Sequence, residues 1–112
     1  MSLEECTTVG NNIKDTPFGY TLSLIGGKWK MIIMYCIAEK PGIRYNALQR
    51  YIGAITYRTL SLQLKELEQD GIVIRKEYPQ VPPKVEYYLS KRGQSLIPIL
   101  DVMCLWGQEN QL

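Results

Sequence analysis

Thr56-Tyr57-Arg58-Thr59-Leu60-Ser61-Leu62-Gln63-Leu64-Lys65-Glu66-Leu67-Glu68-Gln69-Asp70-Gly71 is the stretch on which the fold turns. Leu60, Leu64 and Leu67 fall on one helical face, because positions three and four apart stack along a helix. Thr56 is placed to cap the start, its hydroxyl accepting from a first-turn amide that has no partner inside the helix. Gly71 stands where a residue in the left-handed conformation ends a helix. Ile72-Val73-Ile74-Arg75-Lys76-Glu77-Tyr78 and Val85-Glu86-Tyr87-Tyr88-Leu89 follow as β-branched and aromatic runs. Pro79, Pro82 and Pro83 separate them and have no amide hydrogen to give a ladder. Ala54 to Leu89 therefore reads as one capped helix, a tight stop and a two-stranded hairpin.

The opposite face of that helix carries different chemistry. At about 100° per residue, with the three leucines inward, Arg58, Ser61, Leu62 and Lys65 point outward and Thr59 flanks them. Cationic and hydroxyl groups on the early outer face, followed by a hairpin bearing Lys76 and Lys84, suit a major groove and the phosphates beside it. An ordinary amphipathic helix with a solvated polar face is the other reading of the same pattern.

Three blocks carry a resemblance. They are Leu24-Ile25-Gly26-Gly27-Lys28-Trp29-Lys30, then Leu64-Lys65-Glu66-Leu67-Glu68 with Gly71-Ile72-Val73, then Tyr78-Pro79 with Val81-Pro82-Pro83-Lys84-Val85-Glu86-Tyr87 and Leu89. Gly93, Ser95-Leu96 and Trp106-Gly107 add to them. In order and spacing, from about Pro17 to Gly107, the chain resembles the HxlR-type winged helix-turn-helix regulators, relatives of the MarR regulators. The resemblance implies a mainly α fold with a small β-hairpin (α+β), and dimerisation helices at both the N- and C-terminal ends. It also implies a homodimer on double-stranded DNA with a near-palindromic operator.

Composition agrees with a single globular domain. The chain has 112 residues, 46% of them hydrophobic and 21% charged, with three cysteines and no histidine. No apolar run approaches the roughly 20 residues of a membrane span. Glu4 and Glu5, without an apolar run after them, exclude a signal peptide, so a cytoplasmic protein is expected. Cys6, Cys36 and Cys104 fit neither a disulfide framework nor a zinc site, and no cofactor is expected. Net charge is only +2, but its distribution is uneven. From Pro41 to Arg92 nine bases face five acids, whereas the two flanks together hold four bases and six acids. The positive surplus lies on the segment read as the DNA-binding unit.

Residues 1–16 lack sustained periodicity and read as a flexible arm, leaving 17–112 as the domain. Pro17 opens a helix to about Ile25, with Tyr20 and Leu24 on one side as candidate dimer contacts. The glycines before Lys28 do not make a phosphate loop, because Leu22 and Trp29 occupy the places of its Gly and Ser/Thr. Lys28 to Glu39 reads as a core helix with its stripe at 29, 32, 33, 36 and 37. Ile43-Arg44 can add a short strand, and Tyr45 to Ile52 forms the first helix of the helix-turn-helix, with Leu48 and Ile52 inward. Gly53-Ala54-Ile55 is its turn. Ser90 caps a last helix to about Gln108, in which Pro98 is expected to kink the axis. Leu96, Ile99, Leu100, Met103 and Trp106 make a packing seam there. Ile97, Val102 and Leu105 widen it beyond what one small domain needs, so a second copy is the expected cover.

An enzyme is not expected: no histidine offers a base near neutral pH, and no nucleophile, metal or dinucleotide motif is present. A winged helix used only for protein contacts is the alternative to a DNA binder. On the DNA reading, Arg58 meets a base edge, Leu62 a thymine methyl, and Thr56, Thr59 and Ser61 a base or phosphate. Lys65, Lys76 and Lys84 meet the backbone, and Arg44, Tyr45 and Asn46 are further phosphate candidates. Each of these also has a plain reading as solvated surface. Family resemblance adds one expectation about redox chemistry. Several members carry a cysteine just before the proline of the first helix, and some respond to oxidants through it. Here that position is Thr16, so no thiol switch is expected there, and Cys6, Cys36 and Cys104 read as structural or incidental.

Overall fold

The computed structural model describes residues 13–112. Thr16 caps α1 (Pro17–Ile25), accepting from the Gly19 amide at 3.0 Å while its own hydroxyl donates to the Ile13 carbonyl. Residues Ile13–Asp15 form one 3-10 turn, and Thr16 is buried. The arm expected over 1–16 is thus corrected at its inner end, where a buried cap with both hydrogen bonds made is part of the fold. Residues 1–12, with Cys6, lie outside the described range. Thr16→Ala is expected to lower stability by about 0.5–2 kcal/mol, as cap removal does, read as a lower urea midpoint with unchanged slope.

Helix α2 (Lys30–Glu39) is the centre of the molecule, in contact with α3 (Tyr45–Ile52), α4 (Tyr57–Gln69), the second hairpin strand and the last helix. Contact on several sides explains why its apolar residues do not follow the single stripe expected from sequence. Ile33, Met34 and Ile37 are buried, Ile32 is exposed, and Trp29 and Cys36 are only partly covered. Leu48 of α3, Ile55 of the turn and Leu60, Leu64 and Leu67 of α4 complete this core. Ile52 packs against it while partly exposed. Lys30 and Glu66, 3.0 Å apart, tie α2 to the polar edge of α4.

After Gly71 (φ 73°) the chain enters β1 (Val73–Tyr78), which pairs antiparallel with β2 (Lys84–Leu89) from Val73↔Leu89 to Tyr78↔Lys84. The third strand expected at Ile43-Arg44 is a single bridge, Ile43↔Tyr87. The last helix is not continuous either. Ser90 caps a four-residue turn, α5 (Lys91–Gln94), and α6 (Ile97–Asn110) starts anew. Gly93 is pressed so closely on the Ile72 carbonyl that a Cβ would collide with it. Pro98 falls in the first turn of α6, where its missing amide hydrogen breaks no helical bond, so it begins a helix instead of kinking one.

Candidate nucleic-acid interface

Helices α3 and α4 enclose a turn with a defined geometry. Gly53 (φ 84°) ends α3, and the Gln49 side chain donates to the Ile55 carbonyl at 2.9 Å, holding the buried Ile55 in the bend. Thr56 then caps α4, accepting from the Thr59 amide at 3.2 Å. With Leu60, Leu64 and Leu67 anchored in the core, Arg58, Ser61, Leu62 and Lys65 are all exposed, as their angular positions require. Leu62 is 55% exposed. A leucine so placed has no intramolecular reason to be apolar.

Not every hydroxyl on this face is free. The Tyr45 hydroxyl donates to the Tyr57 carbonyl at 2.7 Å and lies 2.6 Å from the Ser61 hydroxyl, while the rings of Tyr45 and Tyr57 stack at 5.7 Å. Thr56 and Thr59 bond to each other at 3.0 Å. Tyr45 and Ser61 therefore brace the two helices against each other, a role sequence reading did not foresee, and Arg58 and Lys65 remain as the cations without an ion-pair partner among the described residues. Tyr57, half-exposed beside Arg58, was not singled out from sequence. Its stack on Tyr45 depends on a twelve-residue separation that only the fold closes.

The hairpin carries its own polar cluster. Glu86 accepts from Tyr78 at 2.9 Å and from Tyr88 at 2.7 Å, and lies 3.3 Å from the Lys84 ammonium. Those hydrogen bonds, from Tyr88 first and Tyr78 next, with Lys84 adding to them, hold the Glu86 carboxyl below the usual range. Its hydrogen bond to the Glu86 carboxylate pushes the Tyr88 hydroxyl up to about 12. The ammonium groups of Lys84 and Lys76 lie 4.8 and 5.2 Å from the Tyr78 ring. Arg44 and Asn46 sit exposed at the start of α3, against Pro83 and Val85 of the hairpin.

Candidate dimer residues divide into two groups. Leu24 and Leu100 are buried in this chain's own core and Leu96 is partly covered. Tyr20, Ile99, Met103 and Trp106 are exposed, with Phe18, Leu22, Val102 and Leu105 alongside them. Arg92, which sequence reading passed over, donates to the Asp70 carbonyl at 2.7 Å and to the Tyr20 hydroxyl, joining α1 to the C-terminal end of α4.

No group of three or more His, Cys, Asp or Glu among the described residues is placed to hold a metal, and no helix among them is long and apolar enough to cross a membrane. Cys104 is exposed, and burial, with Glu39 nearby, pushes the Cys36 thiol up, against the reactive thiolate.

Comparison with known proteins places this geometry. The family model of HxlR-like helix-turn-helix proteins matches residues 24–111. An HTH-type transcriptional regulator of Halalkalibacterium halodurans is 63% identical over 111 residues, covering 99% of this chain and 98% of its own. Among solved structures, the redox regulator HypR in its oxidized form is 49% identical with a TM-score of 0.80, over 86% of this chain and 98% of that one. A MarR-family protein of Porphyromonas gingivalis is 35% identical with a TM-score of 0.82, over 90% of this chain and 98% of that one. On this evidence the chain belongs to the HxlR-like helix-turn-helix family of transcriptional regulators.

Proposed function

We propose that the protein is a cytoplasmic, sequence-specific DNA-binding regulator that works as a homodimer, by binding and not by catalysis. The observation that carries this reading is the outer face of α4, where Arg58, Leu62 and Lys65 are exposed together on a helix whose other face is locked in the core. Two such helices, one from each protomer, would enter successive major grooves of a near-palindromic operator, with the hairpins along the flanking backbone or minor groove. Arg58 reads a base edge, with guanine O6 and N7 its best partners, and Leu62 meets a thymine methyl. Lys65, Lys76 and Lys84 set the register on phosphates.

Selection of bound genomic fragments identifies the operator, and two substitutions then test the docking. Arg58→Ala is expected to cost about 1–3 kcal/mol at the operator and to relax preference at one base position. Lys84→Ala is expected to weaken all sequences alike and to flatten the salt dependence by about one unit. Its removal also leaves the Glu86 carboxylate facing the phosphates without its ion pair. Unchanged binding in both variants would overturn the docking, and binding of wild-type protein that ignores salt would favour a protein-only module.

HypR is a redox regulator by name. In this chain the hydroxyl of Thr16 serves as a helix cap at the position where several family members carry a thiol. Diamide or peroxide at mild doses is expected to leave operator affinity unchanged, in wild type and in Cys6→Ser alike. Oxidative loss of binding that dithiothreitol restores and Cys6→Ser abolishes would show a switch built on Cys6.

A further inference from the structure

Arg44 is the N-cap residue of α3 and Arg50 lies in its last turn, with Ala47 between them in the sequence. They line a cavity of about 450 Å³ together with Tyr45 and Asn46, and its opposite wall is Pro83 and Val85 of the hairpin. None of the lining residues is acidic. Three nearby cations are paired with carboxylates: Lys30 with Glu66, Arg75 with Glu77 and Lys84 with Glu86. Arg44 and Arg50 have no ion-pair partner among the described residues, and both are exposed. The small side chain of Ala47 leaves the space between them open. Two guanidinium groups bordering one polar cavity repel each other, and an anion seated between them removes that repulsion. A guanidinium fork also matches phosphate oxygens in pairs, which makes phosphate the fitting anion.

We propose that this notch seats one backbone phosphate of DNA, held by Arg44 and Arg50 together against the hairpin wall. The proposal rests on the DNA-binding reading above and assigns to Arg50 a role that sequence reading did not give it. One phosphate would then connect the first helix of the helix-turn-helix to the wing. Tyr45, on the same helix, reaches Tyr57 and Ser61 of α4, so the notch lies beside the base-reading face. Register of the recognition helix in its groove is fixed from this point.

Phosphate contacts are independent of sequence, so a mixed-sequence duplex of about 30 base pairs, titrated between about 50 and 200 mM salt, is a sufficient probe. R44Q and R50Q are each expected to weaken binding by roughly 3- to 10-fold at intermediate salt, and R44Q/R50Q to flatten the salt slope by about one unit per protomer. Because both side chains grip one phosphate, the loss in R44Q/R50Q is expected to fall well short of the product of the single losses. R50K is expected to keep the slope while losing part of the affinity. K91Q removes an exposed cation near the C-terminal end of α4 and is expected to match wild type. Should R50Q melt early by circular dichroism, R44Q and R50K carry the comparison. Wild-type affinity and slope in R44Q/R50Q, fully multiplicative losses, or an equal loss in K91Q would each overturn the notch while leaving DNA binding intact. Failure of wild-type protein to bind the duplex in a salt-dependent way would instead overturn the underlying DNA reading, and the notch with it.

Discussion

Val102→Glu and Trp106→Glu are each expected to turn the protein into a monomer and to reduce operator affinity by about 10²- to 10⁴-fold, the range by which linked binding exceeds single-site binding. Both residues lie on α6 and both are 66% exposed in the isolated chain. With Ile99 and Met103 they form one face, at spacings of three and four residues. Phe18 and Leu22 of α1 extend the apolar surface, and Ile99 joins them around one cleft. So large an exposed apolar area on so small a chain calls for cover, and an isologous contact with a second copy is the commonest cover there is. A glutamate in that contact is charged and unpaired, which association cannot tolerate. The core is not involved, so far-ultraviolet circular dichroism is expected to stay unchanged while light scattering at micromolar concentration reports half the mass. Leu100→Glu makes the control. Leu100 is only 5% exposed and belongs to the protomer's own core, so that substitution is expected to unfold the chain instead of splitting a dimer. A wild-type protein that scatters as a monomer would remove the homodimer altogether.

The division between Leu100 and its neighbours marks where sequence reasoning stopped. Periodicity gave Leu96, Ile99, Leu100, Met103 and Trp106 as one seam, because spacing alone cannot tell an inward residue from one facing a partner. Three-dimensional placement separates them: Leu100 is buried where α6 packs on α2, Leu96 packs partly covered against the core, and Ile99, Met103 and Trp106 are exposed. The same limit applies to α2. Its residues are apolar in several directions, and the stripe chosen from sequence included the exposed Ile32 and omitted the buried Met34. Amphipathic segments were legible for the opposite reason. One face of α4 is leucine and the other, Leu62 apart, is polar, Thr56 and Gly71 mark its ends, and the structure follows each of those signals. Long-range polar pairs left no local trace. Tyr45 with Ser61, Glu86 with Tyr78 across the hairpin, and Arg92 with Tyr20 and Asp70 link residues whose types permit hydrogen bonds but do not specify partners. Arg50 was missed for a related reason, since only the return of the hairpin brings Pro83 and Val85 opposite it.

Two leucines on α4, two positions apart, separate the scaffold from the surface it displays. Leu60 is wholly inaccessible and lies in the core cluster, so Leu60→Ala removes buried methyl groups and leaves a cavity. Such truncations cost about 2–5 kcal/mol, a large part of the stability of a domain this size. At about 4–8 °C per kcal/mol the melting temperature is expected to fall by roughly 8–40 °C. Protein concentration must be held fixed in that measurement, because assembly would itself raise the midpoint by mass action. Leu62→Ala is expected to shift stability by no more than about 0.5 kcal/mol, since exposed side chains away from caps and cores contribute little. Its effect should appear at the operator instead, as a weaker preference for thymine over cytosine where the methyl group is lost. The helix turns by about 200° between these positions, and the contrast measures that rotation directly. If Leu62→Ala melts as early as Leu60→Ala, α4 is seated in a different register and Arg58 no longer faces the groove. If Leu62→Ala leaves both stability and base preference untouched, α4 keeps its register and the thymine contact is lost from the docking, with Arg58 left as its reader of bases.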